Sequence, residues 1–427
     1  MSRLKGNCVV AQSGGPTTVI NASLCGVIQE AMRQDCIREI YAGYNGILGV
    51  LNEQLLDIGG QDRQTIAGLK VCPAAAAGSC RHKLSKDPKS GEYERILEIF
   101  RAHDVRYFFY CGGNDSMDTA DKVSKLANQT GYELIVMGVP KTIDNDLAYT
   151  DHCPGYGSVA KYLATMVMES GRDTEALYTH DTCTIMEAMG RNAGWIAGST
   201  GMAARELDDA PHLIYFPEAP VTRDKIVDDV RRVHARLGRV FIVVCEGVKD
   251  DKGNYLAEAG GDFGQDSFGH KQLGGAAEAL RGIVEKDCRI KARTNKPGTL
   301  QRNGAHFASL TDVEEAYMCG AKAVQMAAEG TSGYMITLVR DPESKTYGCT
   351  TGLAKLSDVA NGEKKVPREW INKDGNHITD EFRKYAMPLM KGEAPITIGD
   401  DGLPVYVRLE KRIVAQKCAK WTGPGKM

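Results

Sequence analysis

The sequence predicts an α/β protein of two domains, each built on a mainly parallel sheet. Three observations carry that prediction. Short apolar runs recur along the chain, most of them break abruptly into a polar loop, and a stretch with helical apolar spacing commonly follows. In such strand, loop and helix units the strands lie parallel and the loops emerge together at their carboxyl ends, the edge where open α/β sheets bind ligands. At 427 residues the chain is also too long for one ordinary core.

The first unit is NCVVAQ, 7–12, breaking into Ser13-Gly14-Gly15-Pro16-Thr17-Thr18, after which Ile20, Leu24, Val27, Ile28, Ala31 and Met32 recur at helical spacing. Gly14 and Gly15 thus offer backbone N–H groups at a helix N-terminus. A second strand, EIYAGY, and a glycine-punctuated stretch follow within 39–60. A small-residue run then ends in Arg81-His82-Lys83. That triplet reads either as a solvated face or, with Arg81 and Lys83, as phosphate ligands.

The stretch 106–148 is the most informative. Two apolar runs, 106–111 and 133–139, end in Gly112-Gly113-Asn114-Asp115-Ser116 and in Lys141-Thr142-Ile143-Asp144-Asn145-Asp146. The glycines let backbone approach an anion at a helix N-terminus, so a phosphate fits the first loop. The second supplies carboxylates able to hold Mg²⁺ or accept a proton, beside a cation able to offset charge on a transferring phosphoryl group. Taken singly, each loop is equally an ordinary capped turn. Their succession after consecutive strands favours one shared crevice.

Further on, Gly155-Tyr156-Gly157 opens a helix with the core stripe Val159, Tyr162, Leu163, Met166 and Val167. A strand over 182–189 leads to Gly190-Arg191-Asn192, and an Arg near a helix start opposes the dipole, which favours phosphate binding by Arg191. HLIYFP, a charged helix and RVFIVVCEG then repeat the pattern from 212 to 247. Glu246 at the last strand end suits a sugar hydroxyl or a cap. The glycine-rich stretch 251–275 predicts a long loop over or beside the site. Arg293 and Arg302 flank a Pro-Gly turn able to fold them to one locus. Thr311 to Glu314 reads as a capping box starting a helix to about Glu329, and YMITLVR as a strand. From about 341 the chain is mixed, polar and proline-punctuated, with no readable role.

Composition excludes other classes. With 53 Lys plus Arg against 55 Asp plus Glu, there is no basic field for nucleic acid or an anionic membrane. The 13 cysteines show neither C-x-x-C nor zinc spacing, which predicts small core residues in a reducing compartment. The N-terminus runs into a strand without a leader pattern, and no run approaches the ~20 apolar residues of a membrane span. A cytoplasmic location is expected.

GGNDS at 112–116, PKTIDND at 140–146, MGR at 189–191, CEG at 245–247 and PGTLQR at 297–302 closely resemble the phosphofructokinase family. The likeness runs from Val9 to about Val339 and is greatest to the pyrophosphate-dependent branch. It implies two Rossmann-like three-layer domains with mainly parallel sheets and an active site in the cleft between them. Residues 1–150 plus about 303–335 would bind the phosphoryl donor. Residues 151–302 plus about 336–427 would form the sugar-phosphate domain and a C-terminal extension.

The resemblance implies Mg²⁺-dependent, reversible transfer from pyrophosphate to fructose 6-phosphate in glycolysis or gluconeogenesis. Asp144 would be the base, with Lys141 and Asp115 selecting pyrophosphate, because ATP users carry glycine at both positions. Gly15, Arg81, Gly113, Asn114 and Ser116 would hold the donor. Thr142, Asp146, Met189, Gly190, Arg191, Glu246, Arg293, Thr299 and Arg302 would hold the sugar phosphate, and Asn114 and Asp144 the metal. Asn114 stands where many members have Asp, and Thr299 where allosteric bacterial members have His. A homodimer or homotetramer is implied, since Arg293-type residues are lent between subunits. The alternatives are an ATP-dependent 6-phosphofructokinase and a non-catalytic sugar-phosphate sensor of the same fold.

Overall fold

In the computed structural model, residues 3–424 are described apart from 86, 88–89, 178, 257–274 and 342–345. The described residues form eleven strands. The first five are β1 (Gly6–Gln12), β2 (Ile37–Gly43), β3 (Leu55–Asp57), β4 (Val105–Gly112) and β5 (Ile135–Pro140). They are followed by β6 (Cys183–Ala188), β7 (Leu213–Tyr215), β8 (Val240–Cys245), β9 (Ala292–Asn295), β10 (Tyr334–Arg340) and β11 (Cys349–Lys355). One sheet has seven strands in the order β11-β10-β5-β4-β1-β2-β3, and the other four in the order β7-β8-β6-β9. Both are parallel except at the edges of the first, where β3 and β11 run antiparallel.

The unbroken apolar run of β4 follows from burial on both faces. Tyr107, Phe109 and Cys111 pack with the helices Ile20–Ala31 and Leu310–Ala328. Phe108 and Tyr110 pack on the opposite face with Glu92–Ala102 and Asn114–Gln129. From β1 the chain continues to β2 on one side and from β4 to β5 on the other. The connections therefore diverge between β1 and β4, the kind of switch point where open α/β sheets bind ligands.

Two expectations are revised. The chain does not leave the first sheet near 335: β10 pairs with β5, its Ile336 and Leu338 enter the core under the helix Leu310–Ala328, and β11 covers the sheet edge. Only then do Val366, Ile371, Ile378, Phe382 and Leu389 join the second core. Val407, Val414 and Trp421 return to pack on the first. The helix expected from Thr311 starts at Leu310, with Ser309 as its cap. Asp312 serves elsewhere, accepting the amides of Gly155 and Ser158 at 2.8 and 2.9 Å and so capping the helix Tyr156–Ala176. Most of the loop expected over 251–275 lies outside the described residues. The described cysteines are free thiols. No helix among the described residues is long and apolar enough to cross a membrane.

Candidate active site

The loops at the carboxyl ends of β1, β4 and β5 meet. Ser13 donates its amide to Cys111 at 2.9 Å, and Gly14 donates to Cys80 at 3.0 Å, which sets Arg81 beside the first glycine loop. Lys141 extends the β4–β5 pairing by donating its amide to Gly112 at 3.1 Å. Its side chain is buried and gives its ammonium to the Gly15 carbonyl at 3.1 Å. Gly113 is the residue before the helix Asn114–Gln129, so Asn114, Asp115 and Ser116 form its first turn. The Asn114 Oδ1 is buried without a hydrogen-bond partner. Asp115 is anchored by Lys83 at 2.9 Å. Lys83, whose triplet reads from sequence either as a solvated face or as phosphate ligands, holds this carboxylate.

From the second sheet, β6 delivers Met189, Gly190 and Arg191, and β8 delivers Glu246. The Glu246 amide donates to Ala188 at 2.9 Å, and its carboxylate accepts from the Gly190 amide at 3.2 Å. Gly247 is obligatory, because a Cβ there would sit 1.9 Å from the Arg191 carbonyl. The short helix Leu300–Asn303 ties the two sheets together. Gln301 accepts the Met189 amide at 3.0 Å, while the Arg302 carbonyl accepts the Thr18 hydroxyl at 3.1 Å. A Cβ on Gly15 would lie 2.6 Å from the Arg302 guanidinium. Gln301 and Thr18 escaped the sequence reading, although both adjoin residues it singled out.

Charges converge on Asp144. Burial lifts its pKa against the pull of Lys141, Arg191, Arg81 and Arg302. Burial likewise pushes Lys141 down to about 8, against the nearby Asp144. Asp146 is raised to about 7 by burial and by the charge of Asp144, and Glu246 to about 7 for the same two reasons. A carboxyl whose pKa is raised, as that of Asp144 is, is a stronger base than a free one. Thr142 accepts the Asp144 amide at 3.1 Å and so shapes the turn.

Two expected members are placed differently, one on β9 and one exposed before a short helix. Arg293 lies on β9 opposite Thr184, donates to it at 3.2 Å and pairs with Asp173. Four residues of β6 lie between Thr184 and Met189, five rises or about 16 Å at ~3.3 Å per residue. Thr299 precedes the helix Leu300–Asn303 and is exposed, its carbonyl accepting the Arg302 amide at 3.3 Å.

The chain is similar to known proteins over nearly its full length. The family model described as Phosphofructokinase matches residues 7–327. A pyrophosphate–fructose 6-phosphate 1-phosphotransferase of Xanthomonas campestris is 47% identical over 98% of this chain and 99% of that protein. One of Halomonas elongata is 44% identical over 96% and 98%. The crystal structure of a pyrophosphate-dependent phosphofructokinase from Marinobacter aquaeolei is 43% identical, covers 97% of this chain and 99% of its own, and superposes with a TM-score of 0.88. With the family model matched over residues 7–327 and relatives matched over nearly the full length, the chain belongs to the phosphofructokinase family.

Proposed function

We propose that this chain transfers a phosphoryl group from pyrophosphate to the 1-hydroxyl of fructose 6-phosphate, giving fructose 1,6-bisphosphate and phosphate. The observation that carries the reading is the convergence of Lys141, Arg81, Arg191 and Arg302 on the single carboxylate Asp144. Asp144 takes the proton of the hydroxyl as its oxygen bonds to phosphorus, a service worth roughly 10²–10⁴-fold. The bridging P–O bond breaks in line, and Lys141 meets the charge that grows on the leaving phosphate. Asp115, fixed by Lys83, stands where a nucleotide would place its α-phosphate, so bulk and charge exclude ATP.

Met189, Gly190, Arg191, Glu246 and Arg302 hold the sugar phosphate, with Thr142 and Asp146 framing the base. Gly15, Arg81, Gly113, Asn114 and Ser116 hold pyrophosphate. The unpartnered Asn114 oxygen and the Asp144 carboxylate form an oxygen donor set that fits Mg²⁺. When bound there, the ion would neutralise charge on the donor oxygens. A phosphoanhydride exchanged for a phosphoester makes the reaction reversible, as suits glycolysis or gluconeogenesis in the cytoplasm. The distance of Arg293 from its own cleft supports a homodimer or homotetramer in which a neighbour uses it.

A donor comparison tests this reading: purified protein, fructose 6-phosphate and Mg²⁺ with pyrophosphate or ATP, following fructose 1,6-bisphosphate. Turnover with pyrophosphate alone is expected, and Asp144→Asn should abolish it while substrate binding survives. Turnover with ATP alone would refute the assigned roles of Asp115 and Lys141. Binding without turnover in the unaltered protein would instead identify a sensor.

A further inference from the structure

The loop carrying Asp144 is held by the chain beyond residue 360. Between Asp144 and Asp146 stands Asn145, fully buried and in the left-handed region with φ 55°. Its amide nitrogen donates to the Tyr385 hydroxyl at 2.8 Å, and its oxygen accepts the Cys153 amide at 2.9 Å and the Lys364 ammonium at 3.4 Å. The Lys364 amide donates to the Asp146 carbonyl at 2.7 Å. The Lys364 ammonium also donates to the carbonyls of Thr150 and Asp151 at 3.3 and 2.7 Å. The Tyr385 hydroxyl completes the set by donating to the Asp151 carbonyl at 2.8 Å.

The same pair reaches the second sheet. Trp195, four residues beyond Arg191, donates its indole N–H to the Lys364 carbonyl at 3.1 Å. Its ring lies 5.1 Å from that of Tyr385 and 5.3 Å from the Lys364 ammonium. Arg340 locks Tyr385 from the other side, donating to its carbonyl at 3.0 Å with its guanidinium 4.8 Å from the ring. A largely buried ammonium is a poor way to gain stability, because its desolvation offsets much of what its partners return. Here its acceptors are concentrated on 145–151, the turn that carries and follows the reacting carboxylate.

We propose that Lys364 and Tyr385 are positioning residues for phosphoryl transfer: through Asn145 they fix Asp144 relative to the sugar loop at Arg191, without touching either substrate. The inference rests on the assignment of Asp144 as the base. A misplacement of about 1 Å at a reacting group costs on the order of 10²-fold in rate. Loosening the strap should therefore lower kcat and leave the affinity for pyrophosphate nearly unchanged.

The test compares Lys364→Met, Lys364→Arg and Tyr385→Phe with the unaltered enzyme, measuring kcat, KM for both substrates and the urea midpoint. The inference predicts a ~10–100-fold loss of kcat in Lys364→Met and Tyr385→Phe, KM for pyrophosphate within about twofold, and partial rescue in Lys364→Arg. Unaltered kcat in folded Lys364→Met and Tyr385→Phe protein would overturn it. So would losses that only track the urea midpoint, with Lys364→Arg no better than Lys364→Met. The underlying assignment fails separately: it is refuted if Asp144→Asn keeps its turnover, whatever the strap variants do.

Discussion

Replacing Lys141 with Met removes the one buried cation that donates to the Gly15 carbonyl. A unit charge about 4 Å from a developing charge of about one half, at an effective dielectric of ~20, contributes ~2 kcal/mol, or ~30-fold in rate. Lys141→Met should lower kcat by at least that factor and change KM for fructose 6-phosphate far less. Burial also places the pKa of this lysine at about 8. With that value about nine-tenths of the ammonium survives at pH 7 in the free enzyme, and about one-tenth at pH 9. Activity depends on the charged form and is lost as pH rises through the pKa, so kcat/KM should fall about tenfold per unit above that point. The bound donor, being anionic, should push the corresponding limb of kcat higher. Initial rates from pH 6 to 10 for both proteins separate this limb from titration of the substrates themselves. A Met variant that keeps the limb, or matches the unaltered enzyme at pH 7, would refute the reasoning.

Three further outcomes are expected. Asp115→Gly removes the carboxylate held by Lys83 and should raise kcat/KM with ATP by ~10–100-fold, the return from relieving a like-charge contact; an enzyme still blind to ATP would remove Asp115 from donor selection. Gly15→Ala puts a Cβ 2.6 Å from the Arg302 guanidinium; because that group is a flexible tip, urea stability should shift by less than ~1 kcal/mol while KM for fructose 6-phosphate rises about tenfold. His152 is buried between Asp151 at 2.8 Å and Glu315 at 2.6 Å. Burial opposes its charge, yet the two carboxylates outweigh this and raise its pKa. Its contribution to stability is thus whole below the unfolded value of ~6.5 and is lost as pH rises through the higher folded value. The urea midpoint should fall across that window in the unaltered protein and lose this component in His152→Gln.

What could be read from sequence was what is local. β1, β4, β5 and β8 were legible because both of their faces are buried and their sequences are continuously apolar, with glycine or acidic punctuation where they end. β9 was read only as a basic stretch, since Ala292–Asn295 is a short, half-exposed edge strand whose polar side chains carry no strand signal. β11 pairs antiparallel at an edge of the seven-stranded sheet, with only Ala354 buried, so its composition looks like loop. The glycine and carboxylate loops of the site were found from their types and order. The contact of Lys83 with Asp115 has no local signal, because it depends on a fold that brings together residues 32 apart. Lys364 and Tyr385 left no local mark, since their partners on 145–151 lie about 210 to 240 positions away.

The return of the chain to each sheet has a mechanical consequence. Four segments pass between the two cores: those after β5 and β9, the one between β11 and Val366, and the one between Leu389 and Val407. A hinge works when a few residues absorb the whole rotation. Four struts tie the two sheets, so swinging one away from the other would have to be absorbed in all of them together. Any rotation of one sheet against the other would therefore be shared among four joints rather than concentrated in one.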